Sequence, residues 1–169
     1  MASLLKELLN PALLQQLAAL CQQHYPRFAT EQFLQQTQGP DWQLLELKAR
    51  IRHISHALHQ ALGLPYSDAI QILLPVSSHF SGVPGFIFAD YVEVYGLDDP
   101  DTSFRALAHF TCFSTGEFAI RPFFQRYPEL TLAQMKAWSY SDNLHLRRLA
   151  SEGARPRLPW GMAISGYWR

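Results

Sequence analysis

Two stretches of unusual composition contain the carboxylates best placed for chemistry. FSTGEFAIRPF, residues 113–123, holds Glu117, and WSYSDNLHLRRLASEGARPRLPW, residues 138–160, holds Glu152. A carboxylate that is shielded from water can stabilise a positive charge that develops on a bound substrate. Glu117 and Glu152 are carboxylates that could act in this way.

Both glutamates also have a structural explanation. Glu117 follows Thr115 and Gly116 at a predicted helix start, where the helix dipole favours an acid. Glu152 lies four residues after Arg148, which is the spacing of an ion pair on one helix face. These explanations stay open beside the catalytic one.

A cluster of four arginines flanks the second glutamate: Arg147, Arg148, Arg155 and Arg157. They fall on a predicted helix and on the loop after it, where Gly153 and Pro156 would shape the backbone. Guanidinium groups bind phosphate oxygens well, so the cluster predicts contacts with a DNA backbone. Ordinary solvation of a charged surface is the alternative.

The charges are unevenly distributed along the 169 residues, although the formal net charge is zero. Residues 1–116 carry six Lys and Arg against ten Asp and Glu, whereas residues 117–169 carry eight against four. A basic excess in the last third favours a polyanionic partner there. A solvated charged face would give the same pattern.

The histidines and cysteines give little support for a metal site or a disulfide. His53, His56 and His59 are spaced three apart, so they drift around a helix rather than share one face. Cys21 and Cys112 form no Cys-x-x-Cys pattern, which indicates reduced thiols packed as small apolar side chains. We therefore expect no metal site built from these residues.

The N-terminal segment does not have the pattern of a signal peptide. It lacks a basic region and a clear cleavage site, and Gln15 and Gln16 interrupt its apolar stretch. No apolar run reaches the roughly 18–20 residues that a membrane span needs. The cytoplasm is therefore the expected compartment.

The apolar residues follow a helical period along almost the whole chain. Asn10 and Pro11 are typical of a helix start, Gly63 is typical of a helix end, and Asp41 is a candidate N-cap for a long helix at 42–62. The other helices are predicted at residues 26–36, 67–78, 86–95, 102–113, 116–127, 131–140 and 142–153, the last with an Asp142-Asn143 cap.

Strand signals are weak, so the sequence predicts an all-α fold. Short helices joined by tight turns bury little surface alone and must stack on their neighbours, which is the arrangement of HEAT-like helical repeats in an α-solenoid. A compact helical bundle has the same periodicity and stays open as the alternative.

The EFAIRPF and RRLASEGARPRLPW stretches resemble the AlkC branch of the AlkC/AlkD DNA glycosylases. The similarity extends more loosely over ELKARIR and YGLDDPD, and it covers nearly the whole chain up to Gly161. The resemblance implies a HEAT-like repeat domain over residues 1–161, equivalent to the N-terminal half of a family member. Residues 162–169 form an atypical tail.

The resemblance also implies an activity: hydrolysis of the N-glycosidic bond of N3-methylated bases, such as 3-methyladenine and 3-methylcytosine, in double-stranded DNA. Because such a base already carries a positive charge, it leaves with less need of the general acid that sugar hydrolases use. Glu117 and Glu152 match family positions that bear on activity, so they are the candidate catalytic residues, and their carboxylates would stabilise the cationic sugar and position water. The resemblance also implies that the reaction uses no metal and no organic cofactor. Trp160 matches an aromatic position that can contact the lesion or its sugar.

Family members continue past the RPRLPW stretch with further repeats, whereas this chain stops nine residues after Trp160. We expect weaker DNA binding and weak or lost turnover, because fewer phosphate contacts remain. We also expect the truncated solenoid end to permit self-association. A non-catalytic helical-repeat module that binds DNA or protein, and a purely structural interaction protein, are the alternatives.

Overall fold

The computed structural model describes residues 5–159 and 161–164, which form α-helices joined by short turns. The helices are α1 (Pro11–His24), α2 (Thr30–Thr37), α3 (Leu47–Leu62), α4 (Tyr66–Ser77), α5 (Phe86–Tyr95), α6 (Pro100–Phe110), α7 (Arg121–Arg126), α8 (Pro128–Ser139) and α9 (Leu144–Gly153). Short 3-10 helices lie at Leu5–Leu8, Trp42–Leu44 and Val83–Gly85. No strand occurs within the described residues, and the all-α prediction is confirmed.

Each helix packs mainly on helices that are close to it in the chain. α1 lies against α2 and α4, α3 lies against α2 and α5, and α6 lies against α4 and α5. The C-terminal part continues this arrangement, because α8 packs on both α7 and α9. Such stacking of neighbours is what helical repeats require to bury their apolar faces.

The core consists of the apolar helix faces that the sequence period predicts. In α1, Leu14, Leu17 and Cys21 are fully buried on one face. Burial raises the pKa of the Cys21 thiol to about 12, so this cysteine stays protonated and packs as an apolar side chain. Cys112 is also a free thiol, and Asn143 donates a hydrogen bond to its sulfur at 3.3 Å.

Two asparagines cap helices at the predicted places. Asn10 Oδ1 accepts the backbone N–H of Leu13 at 3.0 Å, and α1 begins with Pro11. Asn143 Oδ1 accepts the backbone N–H of His145 at 2.9 Å, so the cap of α9 is Asn143 rather than Asp142. Both bonds satisfy amide groups that a helix start leaves without an intrahelical partner.

Three helices begin four or five residues later than the sequence predicts: at Thr30, Leu47 and Arg121 instead of residues 26, 42 and 116. Asp41 therefore does not cap α3, and its side chain makes no capping hydrogen bond. In each case the residues that precede the helix form turns or a 3-10 segment.

The buried side chain of Arg50 explains the late start of α3. Its guanidinium lies over the Trp42 ring, 4.7 Å from the ring centroid, and donates hydrogen bonds to the carbonyl oxygens of Leu45 and Lys6 at 3.1 and 3.0 Å. Leu45 is extended. Because its carbonyl oxygen is bound by Arg50, the segment before α3 is held outside the helix.

Candidate functional site

The two stretches that carry Glu117 and Glu152 come together in the structure. Glu117 lies in the turn between α6 and α7, and Glu152 lies in the last turn of α9. Gly153 permits the close approach, because a Cβ atom at this position would come within 2.9 Å of Ile120 and of Met135. The end of α9 is thereby packed against the turn before α7.

Both carboxylates line one cavity of about 330 Å³. Its other walls are largely apolar and include Phe86, Phe118 and Leu158. A carboxylate beside apolar walls acts more strongly on a nearby charge than it would in water, because the local dielectric constant is lower. The structure therefore brings the two candidate catalytic residues to a single location.

Glu117 has a fixed partner in Arg148. The glutamate side chain is 12% exposed, and its Oε1 lies 3.1 Å from Nε of Arg148. Nη2 of the same guanidinium donates to the carbonyl oxygens of Thr111 and Ser114, at 3.2 and 2.6 Å. Arg148 thus connects α9 to the turn of Glu117. The helix-start explanation for Glu117 is wrong, because α7 begins only at Arg121.

Glu152 pairs within its own segment. Its side chain is 31% exposed, and Oε1 lies 2.8 Å from Nη2 of Arg155, three residues along the chain. The alternative pairing with Arg148 is not the one observed, since the Arg148 guanidinium faces Glu117 instead. Glu152 is therefore the more accessible of the two carboxylates.

The four clustered arginines divide into inward and outward groups. Arg147, Arg155 and Arg157 are exposed, and Arg147 Nη1 donates to the carbonyl oxygen of Ser141 at 2.8 Å. Arg148 is half-buried, with 40% of its side chain exposed, and its guanidinium contacts Glu117 and the carbonyl oxygens of Thr111 and Ser114. Phosphate binding by the cluster stays a prediction, as does the role of Trp160, which lies outside the described residues.

No protein-family model matches the chain. The uncharacterized protein YhaZ of Bacillus subtilis is 46% identical over 160 residues, or 95% of this chain and 45% of YhaZ. The solved structure of Pseudomonas fluorescens alkylpurine DNA glycosylase AlkC, bound to DNA containing an abasic site analog, matches 98% of this chain with a TM-score of 0.91 and 38% identity. The chain resembles AlkC in both sequence and fold.

The match to AlkC confirms the predicted helical-repeat fold. It covers 46% of the AlkC chain. The chain thus spans less than half the length of YhaZ and of AlkC.

Several residues around the cavity were not predicted from the sequence. Phe86 lies far from Glu117 in the chain, so only the fold brings it to the cavity. Phe118 follows Glu117 directly, but its aromatic side chain carries no functional signal by itself. Arg121 is fully buried. The apolar residues around it in EFAIRPFF are the sequence signal that could have indicated this burial. A buried arginine must then find hydrogen-bond partners inside the protein.

A small recess adjoins the cavity and shares Phe86 and Phe118 with it. Lys48 and Asp90 also line the recess. Asp90 is 1% exposed and accepts hydrogen bonds from Nε and Nη2 of Arg52 at 2.9–3.0 Å. The recess therefore extends the largely apolar wall of the cavity onto α3 and α5, with the Arg52–Asp90 ion pair beneath it.

The histidines of α3 have structural partners. Nδ1 of His56 lies 2.6 Å from the hydroxyl oxygen of Tyr95, and Nδ1 of His59 lies 3.0 Å from that of Tyr91. The part of the chain that the structure describes contains no group of three or more His, Cys, Asp or Glu placed to hold a metal ion. None of the described helices combines the length and the apolar character of a membrane span.

Proposed function

We propose that this chain acts in DNA alkylation repair, as part of or as a shortened form of a glycosylase that hydrolyses the N-glycosidic bond of cationic N3-methylated bases. The observation that carries the proposal is the meeting of Glu117 and Glu152 at one cavity. It is supported by the likeness of the chain to AlkC, whose solved structure contains DNA with an abasic site analog.

The chemistry of the cavity suits a substrate of this kind. A methylated base is a good leaving group, so the remaining task is to stabilise an electron-poor sugar and to position water. The carboxylates of Glu117 and Glu152 supply negative charge, while Phe86 and Phe118 supply an apolar surface. A volume of about 330 Å³ falls at the lower end of the range of about 300–1,000 Å³ for small-ligand pockets.

Base release from methylated DNA tests the proposal. Duplex DNA treated with a methylating agent is incubated with the chain, and the free bases are separated by chromatography. We expect 3-methyladenine and 3-methylcytosine above the level of a protein-free control that measures the spontaneous loss of each base. Release at the control level, at protein concentrations that saturate the DNA, would reject a glycosylase activity of this chain.

Substitutions in the arginine cluster should distinguish a side chain that binds phosphate from one that stabilises the fold. We expect Arg157→Ala to lower the salt dependence of duplex binding, because each lost phosphate contact reduces the slope of log K against log salt by about 0.9. Arg148→Ala should leave that slope nearly unchanged and reduce thermal stability, since its guanidinium binds Glu117, Thr111 and Ser114. Fluorescence anisotropy at several salt concentrations measures the slopes. Equal slope changes in both variants would contradict the division.

A helical-repeat module that binds DNA without cleaving the base is the second candidate. The observation that favours it is the group of exposed arginines, Arg147, Arg155 and Arg157, which could bind phosphate whether or not the base is cleaved. Salt-dependent duplex binding without base release would support this candidate. Absence of salt-dependent binding would reject both.

A further inference from the structure

Arg121 is fully buried, and its guanidinium binds main-chain oxygens of one segment. Nη1 donates to the carbonyl oxygens of Gly153 and Arg155 at 3.0 and 2.8 Å, and Nη2 donates to that of Pro156 at 3.0 Å. Nε donates to the carbonyl oxygen of Met162. One side chain of α7 therefore binds residues on both sides of Trp160, which itself lies outside the described residues. The described residues 153–159 and 161–162 are called the segment 153–162 below.

These bonds determine the path of the segment. A buried guanidinium is strongly unfavourable unless its N–H groups are bonded, and bonds from a charged donor are stronger than those between neutral groups. Every one of these bonds goes to the segment 153–162. If the segment moved away, the buried guanidinium of Arg121 would lose its hydrogen-bond acceptors, so the observed path is strongly favoured. The same segment carries Leu158 and Pro159, which line the cavity.

Gly161 supplies an independent sign of the same arrangement. A Cβ atom at this position would come within 2.8 Å of Cδ of Arg121. Just after the segment the chain turns back on it, since the backbone N–H of Ile164 donates to the carbonyl oxygen of Pro156 at 3.0 Å. The main chain therefore passes directly over the stem of the arginine.

The geometry points to Arg121 as a positioning residue, which fixes the segment 153–162 and thereby sets Glu152 and the wall formed by Leu158 and Pro159 relative to Glu117. Arg121 is not among the residues that line the cavity, so it acts through the segment. The inference rests on the proposed glycosylase function of that cavity.

Three variants test the inference: Arg121→Met, Arg121→Lys and Gly161→Ala. The lysine variant keeps the charge with fewer donors, and the glycine variant leaves Arg121 itself in place. Arg126→Met is the matched control, because Arg126 belongs to the same helix but is exposed and pairs with Asp98. Hydrogen exchange of the amides at 154–164 and single-turnover base release are measured for each variant.

We expect Arg121→Met to speed hydrogen exchange in the segment by at least about tenfold, as loss of one hydrogen bond to a charged group would. Exchange in α1–α5 should stay as in the wild type. The rate of base release at saturating DNA should fall by about 100-fold, the loss that a displacement of about 1 Å at a reacting group can cause. Arg121→Lys should lie between Arg121→Met and the wild type, and Gly161→Ala should change exchange in the same amides.

Several results would overturn the inference. Unchanged exchange at 154–164 in both Arg121 variants would reject the hold on the segment. Faster exchange throughout the chain would show that Arg121 stabilises the whole fold rather than this segment. Faster exchange of the same amides in Arg126→Met would show that any substitution in α7 has this effect. Faster segment exchange with unchanged base release would reject the positioning role. If the wild type releases no base, the glycosylase proposal fails, and the exchange data still decide whether Arg121 holds the segment.

Discussion

Replacement of Glu117 or Glu152 with glutamine is expected to slow the release of 3-methyladenine by about 100- to 1,000-fold, the loss typical of removing one preorganised group that stabilises developing charge. Glutamine keeps the size of the side chain and much of its hydrogen bonding, but it carries no negative charge. The expected loss therefore measures electrostatic stabilisation of the sugar rather than a change in shape.

The two variants should differ in a way that follows from burial. The side chain of Glu117 is 12% exposed and that of Glu152 is 31% exposed. Because a charge is screened less in a drier environment, we expect the larger loss for Glu117→Gln. Single-turnover rates on methylated DNA separate this effect from changes in product release.

Glu129→Gln is the matched control for this experiment. Glu129 is an exposed residue in the first turn of α8 and does not line the cavity. Base release by this variant should equal that of the wild type. If both site variants also keep the wild-type rate, the assignment of Glu117 and Glu152 is wrong, and thermal unfolding of each variant checks that any loss is not caused by misfolding.

The fold class could be predicted from the sequence because helix periodicity is a local signal. Asn10 caps α1 through its own neighbour Leu13, so the residues that decide this helix start lie together in the chain. The start of α3 depends instead on Arg50, which binds the carbonyl oxygen of Lys6, 44 residues away. Local propensity does not contain that contact, and the predicted start was five residues too early.

The candidate site shows the same division between local and distant information. Glu117 and Glu152 were predicted from motifs, and the structure places both at one cavity. The contacts of the arginines in these motifs could not be predicted, because the sequence alone allows Arg148 to face solvent, Glu152 or Glu117. Its inward direction depends on the carbonyl oxygens of Thr111 and Ser114, whose positions only the packed turn before α7 determines.

The second large effect concerns the stability of the helices beside the cavity. Arg52→Met is expected to lower the free energy of unfolding by about 3 kcal/mol at pH 7. Breaking a buried ion pair typically costs 3–5 kcal/mol, and the lower end applies because the Arg52 side chain is 37% exposed. The substitution would leave the Asp90 carboxylate, which is 1% exposed, without its two-fold guanidinium contact. Urea unfolding at pH 7 measures the loss, and a change within about 0.5 kcal/mol, as for ordinary surface substitutions, would contradict it.

Glu93 makes the loss dependent on pH. Its Oε2 lies 3.3 Å from Nη2 of Arg52, but burial, with a further contribution from the Asp90 charge, raises the pKa of Glu93 above its usual value. The folded chain thus keeps this proton to a higher pH than the unfolded chain, in which the pKa is about 4.3. The contribution of Glu93 to stability therefore falls as the pH rises through the folded pKa. Without Arg52 the two carboxylates repel each other more strongly, so Arg52→Met should lose less stability at pH 5 than at pH 7.

Glu93→Gln separates the two acidic partners of Arg52. Because the charged form of Glu93 is the disfavoured one in the folded protein, its neutral counterpart should be at least as stable as the wild type at pH 7, and its stability should vary less between pH 5 and pH 7. A loss as large as that of Arg52→Met would mean that Arg52 stabilises the fold through Glu93 rather than through Asp90. We expect instead that Arg52 acts mainly through Asp90. The guanidinium of Arg52 makes a bidentate contact with Asp90 and a single contact with Glu93, and two aligned charged hydrogen bonds fix a guanidinium more strongly than one ion contact does.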